Sequence, residues 1–430
     1  MNQGTRRFWR VVAAVAALLV ITCLATACLS SDSDTPVPTP TKTARPANAK
    51  LPALPTTTHT PAPTATPTLE PPTATATSPA PSPTPTSTAT PEPTEEPTPV
   101  AVPWPTVEAG LCPLTGLPVR DPALLDRRPL AIKIQNASIS RPQFGLREAD
   151  IVYEHLSEAG ITRFTGIFLC QDVEKIGSTR SARFIDLEIP AMYKSLMAFS
   201  GTSAGLYPKF LNADFYDREF CYGWGLHSEG FYRDTELRKQ GIPIEHTLFG
   251  DPVKLWEIAD DLGVNEPQEL RDMHFSEEPP EGSQPATQIN IPYPHRDMVV
   301  DYRYDQDSGA YLRWNGGEPH LDALSGEQIS VTNVVVLYAT HVDTDIYEDE
   351  PRRNHPSVQI QLWGTGDAVV FRDGLAYEGL WARPQRDDMV VFRDSEGQIP
   401  IPLKPGNTWI QLVPLEGHRW AFEASWDGEE

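Results

Sequence analysis

Positive charge is in short supply. The 430-residue chain holds 35 Lys and Arg against 58 Asp and Glu, a formal net charge of −23. So acidic a surface is repelled by phosphate backbones and by anionic lipid, which excludes a nucleic-acid partner and adhesion to a bilayer by charge alone. Cysteine is scarce too. There are five, no two at C-x-x-C spacing, so the pattern offers no zinc site, and no motif calls for a cofactor. Long apolar runs are missing as well. After Leu24 none is long enough to cross a bilayer, so any membrane attachment must come from the N-terminus.

That N-terminus carries a clear signal. Arg6, Arg7 and Arg10 precede an apolar run from Val11 to Leu24, which ends in the small residues Ala25-Thr26-Ala27 directly before Cys28. The pattern is that of a secretory signal peptide over residues 1–27. A cysteine at that place is similar to a lipobox, in which Cys28 receives diacylglycerol and becomes the mature, fatty-acylated N-terminus. Leucine usually stands three places before the cysteine; here that place is Ala25, with Leu24 one step early. An uncleaved signal anchor is the alternative. The lipoprotein reading is preferred because a polar segment follows at once. It places the chain outside the cytoplasmic membrane, anchored to its outer face by lipid.

Residues 28–105 differ from everything after them. Twenty-one of the 44 prolines fall between Pro36 and Pro105, interleaved with Thr, Ala and Ser. With almost no aromatic or branched aliphatic residues, this segment cannot offset its ordering entropy by burial. It is expected to be a disordered, extended linker, with threonines open to O-glycosylation. At about 3.1 Å per residue its full reach is on the order of 200 Å. The six basic and six acidic residues of positions 1–105 cancel, so the whole net charge sits on the remaining body.

The body divides by pattern. Leu130–Ile134 and Asp150–Glu154 alternate at period two, and Phe164–Leu169 and Ser195–Phe199 are short apolar runs suited to buried strands. Ser181–Lys194 has apolar residues near helical spacing. Asp251-Pro252 is a strong helix start, a cap followed by proline at the first position, for a helix through Leu262. Residues 106–275 therefore predict an α/β domain. From Met298 onward, short alternating runs are punctuated by Gly374, Gly397, Gly406 and similar turns, and residues 285–420 predict an all-β domain. The Pro- and Glu-rich stretch from Ser276 to Gln284 is the crossing. Of the three cysteines left in the body, Cys112, Cys170 and Cys221, not all can pair within one chain. Cys170 ends an apolar run and reads most simply as a buried small hydrophobe.

A series of motifs carries a family resemblance. Cys112-Pro113-Leu114-Thr115-Gly116-Leu117 is followed by Arg128-Pro129-Leu130-Ala131 and Arg141-Pro142-Gln143-Phe144-Gly145-Leu146. Then come Ala149–Glu154, Gly160–Phe164, Ile176–Arg183, Phe231-Tyr232-Arg233-Asp234 and Glu245–Phe249. Tyr311-Leu312-Arg313, Pro319–Asp322, Asn333–Val336 and Val370–Gly374 continue the series. In order and content these resemble the YerB-like bacterial lipoprotein family over nearly all of residues 112–415. The resemblance implies a lipoprotein with two domains and, since the family's domains have no assigned biochemistry, leaves the chemistry open.

Four arginines inside these motifs are unusual in so acidic a body. Arg163, Arg180, Arg183 and Arg233 are candidates for an anion-binding cleft, because the guanidinium fork suits carboxylate or phosphate. The alternative is that they pair with Glu154, Glu158, Asp186 and Asp234 as structural ion pairs. Gly201-Thr202-Ser203-Ala204-Gly205 matches a nucleophile elbow, and Asp234 and His246 follow in acid-then-histidine order. Pro208 interrupts the helix such an elbow needs. Glu154 and His155 would point to opposite faces of a strand, and a solvent-facing position is expected for this pair. His320-Leu321-Asp322 reads as a turn, and the tryptophans of the β half as packing. No constellation reaches the strength of a catalytic signature. The expectation is a non-catalytic envelope protein that binds a wall polymer or a protein partner. The alternative is an envelope hydrolase using Ser203, or a carboxylate near the arginines.

Overall fold

The computed structural model of the chain describes residues 110–270, 273–349 and 354–427. Cys28, the signal segment and the proline-rich linker lie outside the described residues. The N-terminal half supplies β1 (Leu130–Gln135), β2 (Ile151–Leu156), β3 (Thr162–Phe168), β4 (Ile176–Gly177), β5 (Leu196–Phe199), β6 (Glu219–Cys221), β7 (Phe231–Arg233) and β8 (Leu248–Gly250). The C-terminal half supplies β9 (Gln284–Pro285), β10 (Gln288–Ile291), β11 (Val300–Asp305), β12 (Ala310–Asn315), β13 (Glu318–Pro319), β14 (Ser330–Val331) and β15 (Asn333–Tyr347). It continues with β16 (Pro356–Gln361), β17 (Gly364–Arg372), β18 (Leu375–Arg383), β19 (Val391–Arg393), β20 (Thr408–Pro414) and β21 (Ser425–Trp426). Among the described residues the α-helices all lie in the N-terminal half, which bears out the α/β and all-β character expected of the two halves.

Strands from both halves build one large sheet, in the order β19-β18-β17-β15-β20-β2-β3-β1-β5-β6, with β16 on β15 and β9 on β18. The seam is a parallel pairing of β2 with β20, from Ile151 opposite Thr408 to Glu154 opposite Gln411. The change of composition near residue 280 is thus a change of secondary-structure content within one packed body. A hydrophobic layer covers each face of the sheet. Ala131, Ile151, Tyr153 and Ile167 belong to one, and Leu130, Ile132, Val152 and Phe164 to the other. A smaller sheet, β13-β12-β11-β10-β21 with β14 beside β12, contains a hairpin, Val300–Asp305 against Ala310–Asn315.

The helix expected from Asp251-Pro252 runs over Pro252–Leu262, with the Asp251 carboxylate accepting from the Lys254 amide at 3.0 Å and Gly263 left-handed at its end. The helix expected over Ser181–Lys194 is instead two short turns, Phe184–Leu187 and Ile189–Met192. Pro190 lacks an N–H and can only begin a helical turn, so it restarts the chain there. Cys170 is also corrected. It is joined to Cys112 by a disulfide that spans 58 residues, while Cys221 is a buried free thiol. Asp150 fixes the turn that carries Cys170, its Oδ2 accepting from the amides of Leu169 at 2.7 Å and Cys170 at 3.0 Å. Closing a loop of this length stabilises by about 4 kcal/mol on the chain-entropy account.

Candidate functional site

The alternating pattern of β1 does not separate inside from outside. All six of its residues are buried. Leu130, Ile132 and Ile134 pack into one hydrophobic layer, while the alternate positions include Lys133 and Gln135, which enter a polar network on the opposite face. Lys133 is fully buried. Its Nζ donates to Thr165 Oγ1 at 2.9 Å, forms an ion pair with Asp186 at 2.8 Å and contacts His155 Nε2. Burial lowers the Lys133 pKa to about 8 against the pull of Asp186. Burial, and then Lys133, hold His155 neutral. The solvent-facing expectation for Glu154 and His155 is therefore corrected, since both are fully buried. They do point to opposite faces. On the other face Glu154 is paired with the buried Arg313 at 2.7 Å and accepts from Asn136 and Thr162. Neighbouring strands cover both sides of β2, which its own sequence cannot announce.

The four candidate arginines divide into two kinds. Arg163 and Arg183, each 5 % exposed, both grip Glu158 at 2.6 Å. Arg183 also reaches Glu348 at 3.3 Å and Ser157 Oγ at 3.1 Å, and Arg163 donates to the Ser181 carbonyl at 2.7 Å. Burial works against the Glu158 carboxylate, yet the two guanidinium groups outweigh it and hold its pKa well below the usual range. These two arginines are bound up in ion pairs. Of the carboxylate partners named from the sequence, Glu158 pairs as expected, whereas Glu348, nearly two hundred positions downstream in sequence, was invisible to motif reading.

Arg180 and Arg233 are different. Both are half-buried, and among the described residues neither has a carboxylate within ion-pair distance. Arg180 Nη1 donates to the Glu245 carbonyl at 3.3 Å and its Nε is buried without a partner. Arg233 donates to the Ile244 carbonyl and lies over the Tyr222 ring at 5.1 Å. The two therefore converge on the turn Ile244–His246. His246 Nδ1 meets Gln135 Oε1, at the end of β1, at 3.0 Å. Burial and then Arg180 lower the His246 pKa, so the imidazole is neutral near pH 7. Burial, then Arg183, likewise lowers the pKa of Arg180, and Arg233 adds to this. The result is a pair of cations whose charge is only partly compensated.

The setting is the carboxyl end of three parallel strands, β1, β5 and β6. In such sheets ligands bind beyond the strand ends. The segment Ser178–Ala182 crosses that edge. Gln135 N donates to Ser178 O, Arg180 N to Lys133 O, Ser200 N to Arg180 O and Ala182 N to Gly201 O. The side-chain oxygens of Ser178, Thr179 and Ser203 are buried here without partners.

The structure does not join the residues of the hydrolase alternative. Ser203 Oγ has no hydrogen-bond partner. Asp234 pairs with Lys175 at 2.6 Å and caps the helix Thr235–Lys239, accepting from the amides of Glu236 and Leu237. His246 meets Gln135, which cannot serve as the acid of a triad. His320 and Asp322 are buried, and Asp322 organises a turn by accepting from Leu324 and Ser325 amides, as expected. Among the described residues, Cys112, Asp150 and Cys170 are close enough to hold a metal ion, but the two sulfurs are bonded to each other.

Fold and sequence together define a two-part protein built from one composite sheet. The chain belongs to the YerB-like family: residues 114–265 match the N-terminal domain, and residues 289–410 the C-terminal domain, of a protein of unknown function, DUF3048. A relative from Bacillus subtilis (strain 168), named "Putative lipoprotein YerB", is 29 % identical over 306 residues, covering 70 % of this chain and 86 % of its own. The crystal structure of YerB protein from Bacillus subtilis superposes with a TM-score of 0.60 at 26 % identity, over 73 % of this chain and 98 % of that one. Among the described residues no helix is long and apolar enough to cross a membrane.

Proposed function

We propose that the chain is a lipid-anchored envelope protein whose folded head binds, without catalysis, an anionic group on a wall polymer or on an envelope protein. The observation that carries this reading is the pair Arg180 and Arg233. They converge on one turn at the carboxyl end of parallel strands, in a body of net charge −23, and among the described residues no carboxylate pairs with either. An arriving phosphate or carboxylate would supply the missing counter-charge through forked hydrogen bonds. The relative's name supports an envelope setting. So does the Cys112–Cys170 disulfide, a bond that persists in oxidising compartments.

The test separates binding from folding. Arg180→Ala and Arg233→Ala should melt close to wild type and lose retention on isolated envelope material. Arg183→Ala removes one member of a buried ion-pair cluster and should cost about 3–5 kcal/mol of stability. If the Arg180 and Arg233 variants are both retained on envelope like wild type, the binding assignment is wrong.

A further inference from the structure

A cavity of about 340 Å³ lies between the Ser138–Pro142 turn of the N-terminal half and β12, β13 and the turn before β11 in the C-terminal half. It shares no lining residue with the arginine pair or its turn. One wall carries a cation whose hydrogen bonds are only partly used. Arg141 Nε donates to Asn136 Oδ1 at 3.1 Å, and Nη2 donates to the carbonyls of Asn136 at 2.8 Å and Asp297 at 2.7 Å. These bonds fix the plane of the guanidinium and leave the two N–H groups of Nη1. Among the described residues Nη1 has no acceptor and Arg141 no carboxylate partner. Unlike the buried Nε of Arg180, Nη1 is open to solvent. Burial, and then Arg313, lower the Arg141 pKa to about 10, as befits a cation with too little counter-charge.

The opposite charge comes from β13. Glu318 is exposed and lines the same cavity, and among the described residues nothing bonds to its carboxylate. Asp297 lines the cavity too, but its carboxylate is already paired with Arg296 at 3.2 Å. Burial and then Arg313 hold His320 neutral, so that side chain adds no charge to the wall. Pro142, Pro319 and Leu321 give the cavity an apolar side.

We infer that this cavity binds a small zwitterion, an amino acid or short peptide, whose carboxylate accepts from Arg141 Nη1 and whose ammonium donates to Glu318. The lining selects against the alternatives. A simple anion meets Glu318, a simple cation meets Arg141, and an uncharged molecule leaves both charges unpaired. A ligand carrying both charges satisfies both, through charge-assisted hydrogen bonds on a guanidinium already held in place. A volume near the lower end of ligand pockets suits a molecule of this size, with its side chain on Pro142 and Leu321. The inference does not depend on the arginine-pair reading, whose ligand is an anion.

Titration calorimetry on the folded protein with alanine, dialanine, alaninamide and N-acetylalanine tests it. The expected result is saturable binding of alanine or dialanine, the tighter of the two giving the ligand's length. Alaninamide, which lacks the carboxylate, and N-acetylalanine, which lacks the ammonium, should each bind more weakly by roughly tenfold or more. Glu318→Gln breaks no bond among the described residues, so it should melt like wild type and lose the preference over N-acetylalanine. Ser138 is exposed and lines the cavity, so Ser138→Trp fills the space and should abolish binding with its melt unchanged. Three results overturn the inference: no saturable binding of either zwitterion, equal affinity for alaninamide or N-acetylalanine, or wild-type behaviour of Glu318→Gln or Ser138→Trp. Arg180→Ala should leave this binding intact, so failure at this site and failure at the arginine pair are separately visible.

Discussion

Glu219 sits on β6, at the end of the large sheet, 1 % exposed, and neither of its carboxylate oxygens has a hydrogen-bond partner. Burial raises its pKa from 4.5 to about 8. The folded protein thus holds a proton that the unfolded chain releases earlier. Because the folded value is raised, the stabilisation it gives is complete below about pH 4.5 and is lost as pH rises to about 8. Glu219→Gln keeps the shape and removes the titration. Melting curves of the two proteins should coincide near about pH 4, where the carboxyl is protonated in both folded and unfolded chains. The variant's advantage should then widen up to about pH 8 and stay constant above it. A pH-independent difference would show that the carboxylate is solvated or paired in solution. The same physics sorts the arginines: Arg183 has carboxylates that hold its charge inside the body, and among the described residues Arg180 has none within ion-pair distance.

At the scale of elements, the seam between β2 and β20 matters most. Every residue of β2 is buried, and its backbone is paired on one side with β3 and on the other with β20. Without β20, the Ile151–Leu156 strand becomes an exposed apolar edge, which pairs with other chains. A fragment of residues 106–280 alone should therefore be insoluble or lack a cooperative melt. Co-expression with residues 281–430 should restore a soluble complex with a single transition. A cooperative melt of either fragment by itself would show that the halves have separate cores. β1 and β3 make the same point more locally. The hydrophobic period of β1 is evident in the sequence. That its polar alternate positions are buried as well follows only from Asp186, Thr165 and His155 closing over them.

For the whole molecule, the lipid anchor proposed at Cys28 and the linker expected over residues 28–105 would set the reach of the head from a membrane. Both lie outside the described residues, so a direct measurement decides them. Metabolic labelling with a fatty-acid probe should mark the wild-type protein and leave Cys28→Ala unlabelled. Persistent labelling of the variant would remove the anchor assignment. The linear sequence by itself determined the mixed and β-rich character of the halves from their periods, the helix from Asp251-Pro252, and the family from a dozen ordered motifs. These are local properties, and they survive whatever the rest of the chain does. Only the tertiary structure decided which residues meet. It joined Cys112 to Cys170, bound Arg183 to Glu158 and Glu348, and left Arg180 and Arg233 without a carboxylate among the described residues. It also threaded both halves through one sheet. The reason is physical: a charge is spent or free according to the neighbours that burial brings to it, and those neighbours come from segments far apart in the chain, as Arg183 and Glu348 do.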